Sequence, residues 1–168
     1  MRMTKAMLAT GLALSAMFAA GPARAQDELL DLSTPEALQA AMLAAGYKAE
    51  LKKNDDGSAF VLSAANGEPF TIDLTDCKAL KCSGLSIQSF YKPEPIFTAE
   101  FANKWNAAKR FLKVSVNEKG ELHEWLDITT HGKLTRANFA DWIDWYSTMD
   151  VELAKFAREA REAAKAKK

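Results

Sequence analysis

The only two cysteines of the chain lie in the segment CKALKC, at residues 77 and 82. Such a pair can form a disulfide, bind a metal ion or carry redox chemistry. Zinc needs two further ligands, and the only histidines, His123 and His131, lack metal-ligand spacing with the pair. Redox dithiols typically have two intervening residues rather than four. A structural disulfide is the favoured interpretation, and the other two stay open.

No other group of residues has the pattern of a catalytic or metal site. His123 and Asp127 share one strand, but no nucleophile or oxyanion motif accompanies them, and His131 lies in the turn THGK. Asp55 and Asp56 belong to the turn NDDG, which lacks the spacing of an EF-hand calcium loop. No glycine-rich phosphate loop occurs in the sequence. We therefore predict a protein that is not an enzyme and that carries no metal or cofactor.

The first 25 residues have the pattern of a secretory signal peptide. A basic start at Arg2 and Lys5 precedes an apolar run over 6–20, too short for the ~20 residues that span a bilayer. An A-x-A pattern then predicts cleavage between Ala25 and Gln26. We expect a periplasmic or secreted protein. In that oxidising compartment paired cysteines form disulfides, which strengthens the interpretation above.

Cleavage of the signal peptide would change the net charge of the chain. The full sequence has 22 basic and 22 acidic residues, and Arg2, Lys5 and Arg24 leave with the signal peptide, so the mature net charge is near −3. This balance argues against nucleic acid as a partner, because nucleic-acid binders show a basic excess. No later stretch is apolar enough to span a bilayer, so no membrane span is expected after cleavage.

The periodicity of the mature sequence predicts an α+β fold. Alternating and helical patterns indicate, in order, a helix at 35–45, strands at 47–53, 58–64, 69–74 and 85–91, a helix from Thr98, strands at 111–117 and 122–129, and a helix from Arg136. This order, α-β-β-β-β-α-β-β-α, favours a single domain over 26–157 in which helices pack on one side of an antiparallel sheet. Residues 158–168 are predicted to be a charged, alanine-rich, frayed helical tail.

The segment NKWNAAKRFLKVSVNEKGELHEWLDIT, residues 103–129, resembles the core signature of the YbjN domain family. It combines a Trp-Asn pair in a helix, a basic-aromatic pair that closes it, and a hairpin with a glycine turn. The likeness extends over about 33–156 and matches an exported branch of the family with a signal peptide and a cysteine pair. It implies a fold similar to type III secretion chaperones. It also implies a role in sensory-transduction regulation, without an established catalytic activity.

Two helices offer candidate interaction residues. Asn106 and Arg110 lie four apart on one helix; the alternative is that Trp105 is core and that Asn106 or Arg110 ties the helix end to a neighbouring strand. In the last helix the apolar residues step by 3 and 4 in one seam: Phe139, Trp142, Tyr146, Met149, Leu153 and Phe156. Ile143 and Trp145 fall on opposite flanks of this seam. We predict an interaction surface that includes Asn106, Arg110, Ile143 and Trp145.

These observations favour a non-enzymatic interaction module of the periplasm, regulatory or chaperone-like, over two other classes. The alternative is a binder of a small apolar ligand held between sheet and helices, and an enzyme is a distant third because no catalytic set assembles. The expected partner is another protein, with a homodimer as one candidate.

Overall fold

A computed structural model describes residues 28–79 and 81–166 of the chain. The predicted signal peptide and its cleavage site lie outside these residues. The described elements are β1 (Leu29–Leu30), α1 (Pro35–Ala44), β2 (Glu50–Lys53), β3 (Ala59–Ala65), β4 (Glu68–Thr75), β5 (Gly84–Tyr91), α2 (Ala99–Ala108), β6 (Lys113–Val116), β7 (Leu122–Thr129), β8 (Leu134–Thr135) and α3 (Arg136–Ala166).

Six of the strands form one antiparallel sheet in the order β2-β3-β4-β5-β7-β6. The predicted α+β class and the predicted order of helices and strands are confirmed. Strands β1 and β8, which pair with each other as a separate two-stranded sheet, were not predicted. Two residues are too few to show an alternating pattern, so such strands are recognised only once their partner is in place.

All three helices cover the same face of the large sheet. The strands turn alternate side chains to this face, and they are buried together with residues of every helix in one core. The sheet contributes Val61, Phe70, Ile72, Leu85, Ile87, Leu122, Leu126 and Ile128 to it. The opposite face carries polar and aromatic side chains, as expected of an antiparallel sheet with one solvated face.

Threonine side chains fix the starts of the helices. Thr34 accepts a hydrogen bond from the Ala37 backbone N–H at 3.3 Å, and Thr98 accepts one from Phe101 at 3.1 Å. Thr135, directly before α3, accepts one from the Asn138 N–H at 3.1 Å. Each bond satisfies an N–H group that the first turn of a helix leaves without an intrahelical partner.

The predicted disulfide between Cys77 and Cys82 is present. It closes the loop between β4 and β5, directly beyond the last pair of this ladder, Thr75 opposite Gly84. The backbone N–H of Cys82 also donates to the Ser33 carbonyl at 3.0 Å, which ties the loop to the segment before α1. A closed loop of this size stabilises the fold by ~2 kcal/mol in the chain-entropy model.

Helix α3 continues through the segment that was expected to be a frayed tail. The helix runs to Ala166, and Ala160 packs against the core. Arg161 donates two hydrogen bonds of 2.7 Å to the Glu94 carboxylate. The first turn of this segment is therefore docked through Ala160 and Arg161, whereas residues 162–166 are exposed.

Candidate functional site

The Trp-Asn pair of α2 binds the helix to the edge strand β6. The indole N–H of the fully buried Trp105 donates to the Leu112 carbonyl at 3.0 Å. The Asn106 amide donates to the Val114 carbonyl at 2.9 Å and accepts from the Val114 N–H at 3.0 Å. Asn106 thus takes the place of a neighbouring strand at the outer edge of β6. This confirms the interpretation in which Asn106 ties the end of the helix to a neighbouring strand, and its amide is bonded to Val114.

The connection from α2 to β6 is short and strained at Phe111. The Leu112 N–H donates to the Arg110 carbonyl at 2.8 Å, which closes a three-residue turn around Phe111. Phe111 has a φ of 64°, in the left-handed region that bulky side chains avoid. Backbone strain of this kind costs on the order of 1–3 kcal/mol and is concentrated at functional sites. The turn holds the Phe111 ring 44 % exposed, and Arg110 beside it is exposed as well.

Phe111 forms an aromatic patch with two tryptophans of α3. Its ring centroid lies 5.7 Å from that of Trp142 and 5.2 Å from that of Trp145, in edge-on and tilted arrangements. Trp142 is half-buried against the core, whereas Trp145 is 42 % exposed. We call Phe111, Trp142 and Trp145 the aromatic patch. Large exposed rings of this kind are typical anchors of protein interfaces.

One flank of α3 is buried by the domain and the other is exposed. Ile143 is fully buried, so its predicted place on an interaction surface was wrong. The buried stripe of α3 contains Phe139, Ile143, Tyr146, Met149, Asp150, Leu153 and Ala157, which is centred further towards Ile143 than the predicted seam. The domain covers this flank of the helix and leaves the flank of Trp145 open.

Beneath α3 lies a buried acidic cluster that sequence analysis missed. Glu124 of β7 is fully buried, and Asp150 of α3 is 7 % exposed. The Tyr91 hydroxyl contacts both carboxyl groups, at 2.5 Å from Asp150 Oδ1 and 3.2 Å from Glu124 Oε1. The Tyr146 hydroxyl donates to Glu124 Oε1 at 2.8 Å and lies 2.7 Å from Ser89 Oγ. We call Ser89, Tyr91, Glu124, Tyr146 and Asp150 the acid–tyrosine cluster.

The electrostatics of this cluster favour a protonated Glu124. Burial, and after it the nearby Asp150, raise the pKa of Glu124 to about 8 against the lowering effect of the tyrosine hydrogen bonds. Burial also raises the pKa values of Tyr91 and Tyr146, so both phenols remain hydrogen-bond donors. Glu124 Oε2 is buried without a hydrogen-bond partner among the described residues. Glu124 therefore sits in a buried interface that disfavours its negatively charged form.

A signal for the cluster exists in the sequence. In LHEWLDIT, Glu124 alternates with Leu122, Leu126 and Ile128, which places a carboxyl group at a core-facing position of the strand. Asp150 likewise lies four residues after Tyr146 on the buried side of α3. Periodicity places each acid on an inner face, but it does not show that the two face each other.

The remaining sequence candidates do not form a catalytic arrangement with one another. His123 Nε2 lies 2.7 Å from Gln88 Oε1 on the helix-free face, where its ring stacks between Phe90 and Trp125. Burial lowers the pKa of His123. His131 is exposed in its turn, outside this stack of rings. Within 28–79 and 81–166, no group of three or more His, Cys, Asp or Glu residues could hold a metal ion.

The surface beside α3 carries an open groove. One groove of about 720 Å³ lies between α3 and the β3–β4 turn, and its lining includes Tyr47, Asn66, Asp144 and Val151. Tyr47 donates to Asp144 across it at 2.7 Å. This mixed, open groove differs from the concave and mostly apolar pockets that hold small ligands. In the part of the chain that the structure describes, no helix has the length and apolar character that crossing a membrane requires.

Comparison with known proteins identifies one family. Residues 34–153 match the YbjN family, whose description is "Putative bacterial sensory transduction regulator". No curated protein and no solved structure matches the chain. The matched range includes the edge closure by Asn106, the aromatic patch and the acid–tyrosine cluster.

The role of Asn106 leads to a stability prediction. Replacing Asn106 by Ala leaves the buried Val114 N–H and carbonyl without their partner, which should lower the free energy of unfolding by about 2 kcal/mol. The matched control is Asn103→Ala, an exposed position one turn earlier on the same helix, which should change it little. Urea unfolding compares the two variants. Equal effects of both substitutions would show that Asn106 does not close the edge of β6.

The acid–tyrosine cluster leads to a prediction about pH. Folded protein keeps a proton on Glu124 up to about pH 8, whereas an unfolded chain loses it near 4.5, the ordinary pKa of a glutamate side chain. Stability from this group is therefore fully present below about pH 4.5 and is lost as the pH rises through about 8. Glu124→Gln stays neutral and should be more stable than the parent at about pH 8.5, by up to about 5 kcal/mol, and should flatten the profile. Thermal unfolding between about pH 5 and 9 measures this, and a parent profile that Glu124→Gln reproduces would refute it.

Proposed function

Since the chain belongs to the YbjN family, we propose that it is a non-enzymatic regulatory module that acts by binding another protein. The observation that carries this proposal is the aromatic patch, in which a strained turn holds Phe111 against Trp142 and Trp145 at the surface. A buried aromatic ring stabilises an isolated domain more than an exposed ring does, because its apolar surface is removed from water. Strain that keeps Phe111 outside therefore supports a role in recognition.

The shape and chemistry of the aromatic patch favour a protein segment with an apolar side chain as the ligand. The two most exposed rings are each a little under half accessible, and Arg110 lies beside them. This exposed area is small compared with the ~800 Å² per partner of a stable protein interface. The patch thus suits the central anchor of an interface, with polar residues such as Arg110 at its rim.

Export of the protein is part of the same proposal. It is supported by the signal-peptide pattern of residues 1–25 and by the Cys77–Cys82 disulfide, which suits an oxidising compartment. The mass of the protein recovered from its producing cells should correspond to a chain that begins at Gln26. A mass that retains the first 25 residues would contradict export by signal cleavage.

The interaction is tested with paired surface variants of α3. Trp145→Asp places a charge in the aromatic patch, whereas Val151→Asp places one at an apolar position of the same helix, 50 % exposed and outside the patch. Both variants should stay folded by circular dichroism. The parent and Val151→Asp should recover the same partner from an extract of producing cells, and Trp145→Asp should lose at least tenfold of it. Sedimentation of the purified chain shows whether that partner is a second copy.

A second variant protects this test against misfolding. Phe111→Gly removes the ring at a backbone conformation that glycine adopts without strain, so the fold should be retained. We expect it to lose the partner as Trp145→Asp does. Recovery of the partner by either folded variant at the parent level would overturn the proposed interface.

A further inference from the structure

The aromatic patch is assembled from two separate parts of the fold. Trp142 and Trp145 belong to α3, whereas Phe111 precedes β6 and is held to the sheet through the pairing of β6 with β7. The three rings meet only where α3 lies against the sheet. The geometry of the patch therefore depends on how firmly the middle of α3 is seated.

The acid–tyrosine cluster lies in that same interface. Tyr146 directly follows Trp145 and comes one turn after Trp142, and its hydroxyl reaches Glu124 and Ser89 on the sheet. Glu124 is in turn the cross-strand partner of Val114 on β6, three residues from Phe111. The cluster thus joins the α3 half and the sheet half of the patch.

We propose that the proton carried by Glu124, which faces Asp150 through Tyr91, regulates the aromatic patch by controlling how firmly α3 sits on the sheet. This inference rests on the proposed function of the patch as a protein-binding site. The three rings of the patch stay together while Glu124 keeps its proton, and they separate once the proton is lost.

The surroundings of Glu124 give the physical reason. The polar groups that face it are Ser89 and Tyr91 from β5 and Tyr146 and Asp150 from α3, and β6 contributes the apolar Val114. Among the described residues, no cation forms an ion pair with Glu124 or Asp150. Loss of the proton therefore places a negative charge on the fully buried Glu124, beside the Asp150 side chain and without a cation paired to it among the described residues. The interface relieves this cost by separating or by admitting water.

The ends of α3 are held independently of the cluster. Arg136 at its start pairs with Glu28 at 2.6 Å, and Arg161 near its end pairs with Glu94 at 2.7 Å. Both pairs involve acids outside the core, so loss of the Glu124 proton leaves them intact. The loosening is thus confined to the middle of the helix, which carries the aromatic patch.

Fluorine NMR of protein labelled with 5-fluorotryptophan tests the inference, because the four tryptophans report on distinct places. Each resonance is assigned with a single Trp→Phe variant. Across a titration from mildly acidic to alkaline pH, the Trp142 and Trp145 resonances should shift or broaden with a midpoint near 8, the pKa of Glu124. Trp105, a fully buried residue of α2, should change less and serves as the internal reference. Trp125 stacks on His123 and reports the titration of that ring instead.

Three variants identify the group responsible. Glu124→Gln should abolish the transition of Trp142 and Trp145, and Asp150→Asn should lower its midpoint by about one pH unit or more, since a neighbouring charge is removed. Glu118→Gln, an exposed position in the β6–β7 turn, should leave the transition unchanged. Resonances of Trp142 and Trp145 that do not change with pH in the parent, or that titrate equally in Glu124→Gln, would overturn the inference. Partner recovery by Trp145→Asp, measured at about pH 6.5 where the proton is retained, judges the proposed function separately.

Discussion

Coverage of a single face of the sheet by α3 is the constraint on which the rest of this structure depends. Six strands turn their apolar side chains to one side, and α3 extends from the β1–β8 pair to Glu94 while it buries Phe139, Ile143 and Leu153. The helix also carries Tyr146 and Asp150 into the core. Their polar groups must then find partners on the sheet, which Ser89, Tyr91 and Glu124 provide. Apolar burial and a buried acid pair are therefore parts of one interface.

The edge of the sheet imposes a second constraint. Strand β6 is the last in the sheet, and an unpaired edge invites association with another chain. Asn106 satisfies the Val114 backbone in both directions, and Trp105 anchors the preceding Leu112. The chain must therefore reverse from α2 into β6 within a few residues, and Phe111 adopts its left-handed conformation there. The Trp-Asn pair thus has a structural role, and it sets the place on the surface where the ring of Phe111 meets α3.

These two constraints meet at the aromatic patch, which gives the regulatory proposal its physical content. Phe111 belongs to the closed edge of the sheet and the two tryptophans belong to α3. The geometry of the patch therefore depends on how α3 lies against that edge. A regulator requires an element with two states that a signal can bias. In this fold we infer that the middle of α3 is the element with two states. The signal that biases it is the gain or loss of the Glu124 proton.

The sequence by itself determined the α+β class and the order of the long elements, because both depend on local periodicity, and it left Cys77 and Cys82 as the only pair from which a disulfide could form. It also placed Trp145 on a flank of α3. Only the tertiary structure decided that the flank of Ile143 is covered and that of Trp145 is open, because the choice depends on which neighbours pack beside the helix. The same holds for Asn106, whose partner lies on another element, and for the two-residue strands β1 and β8. Glu124 and Asp150 are 26 positions apart, and no local pattern brings their carboxyl groups together; the docking of α3 on β7 does so.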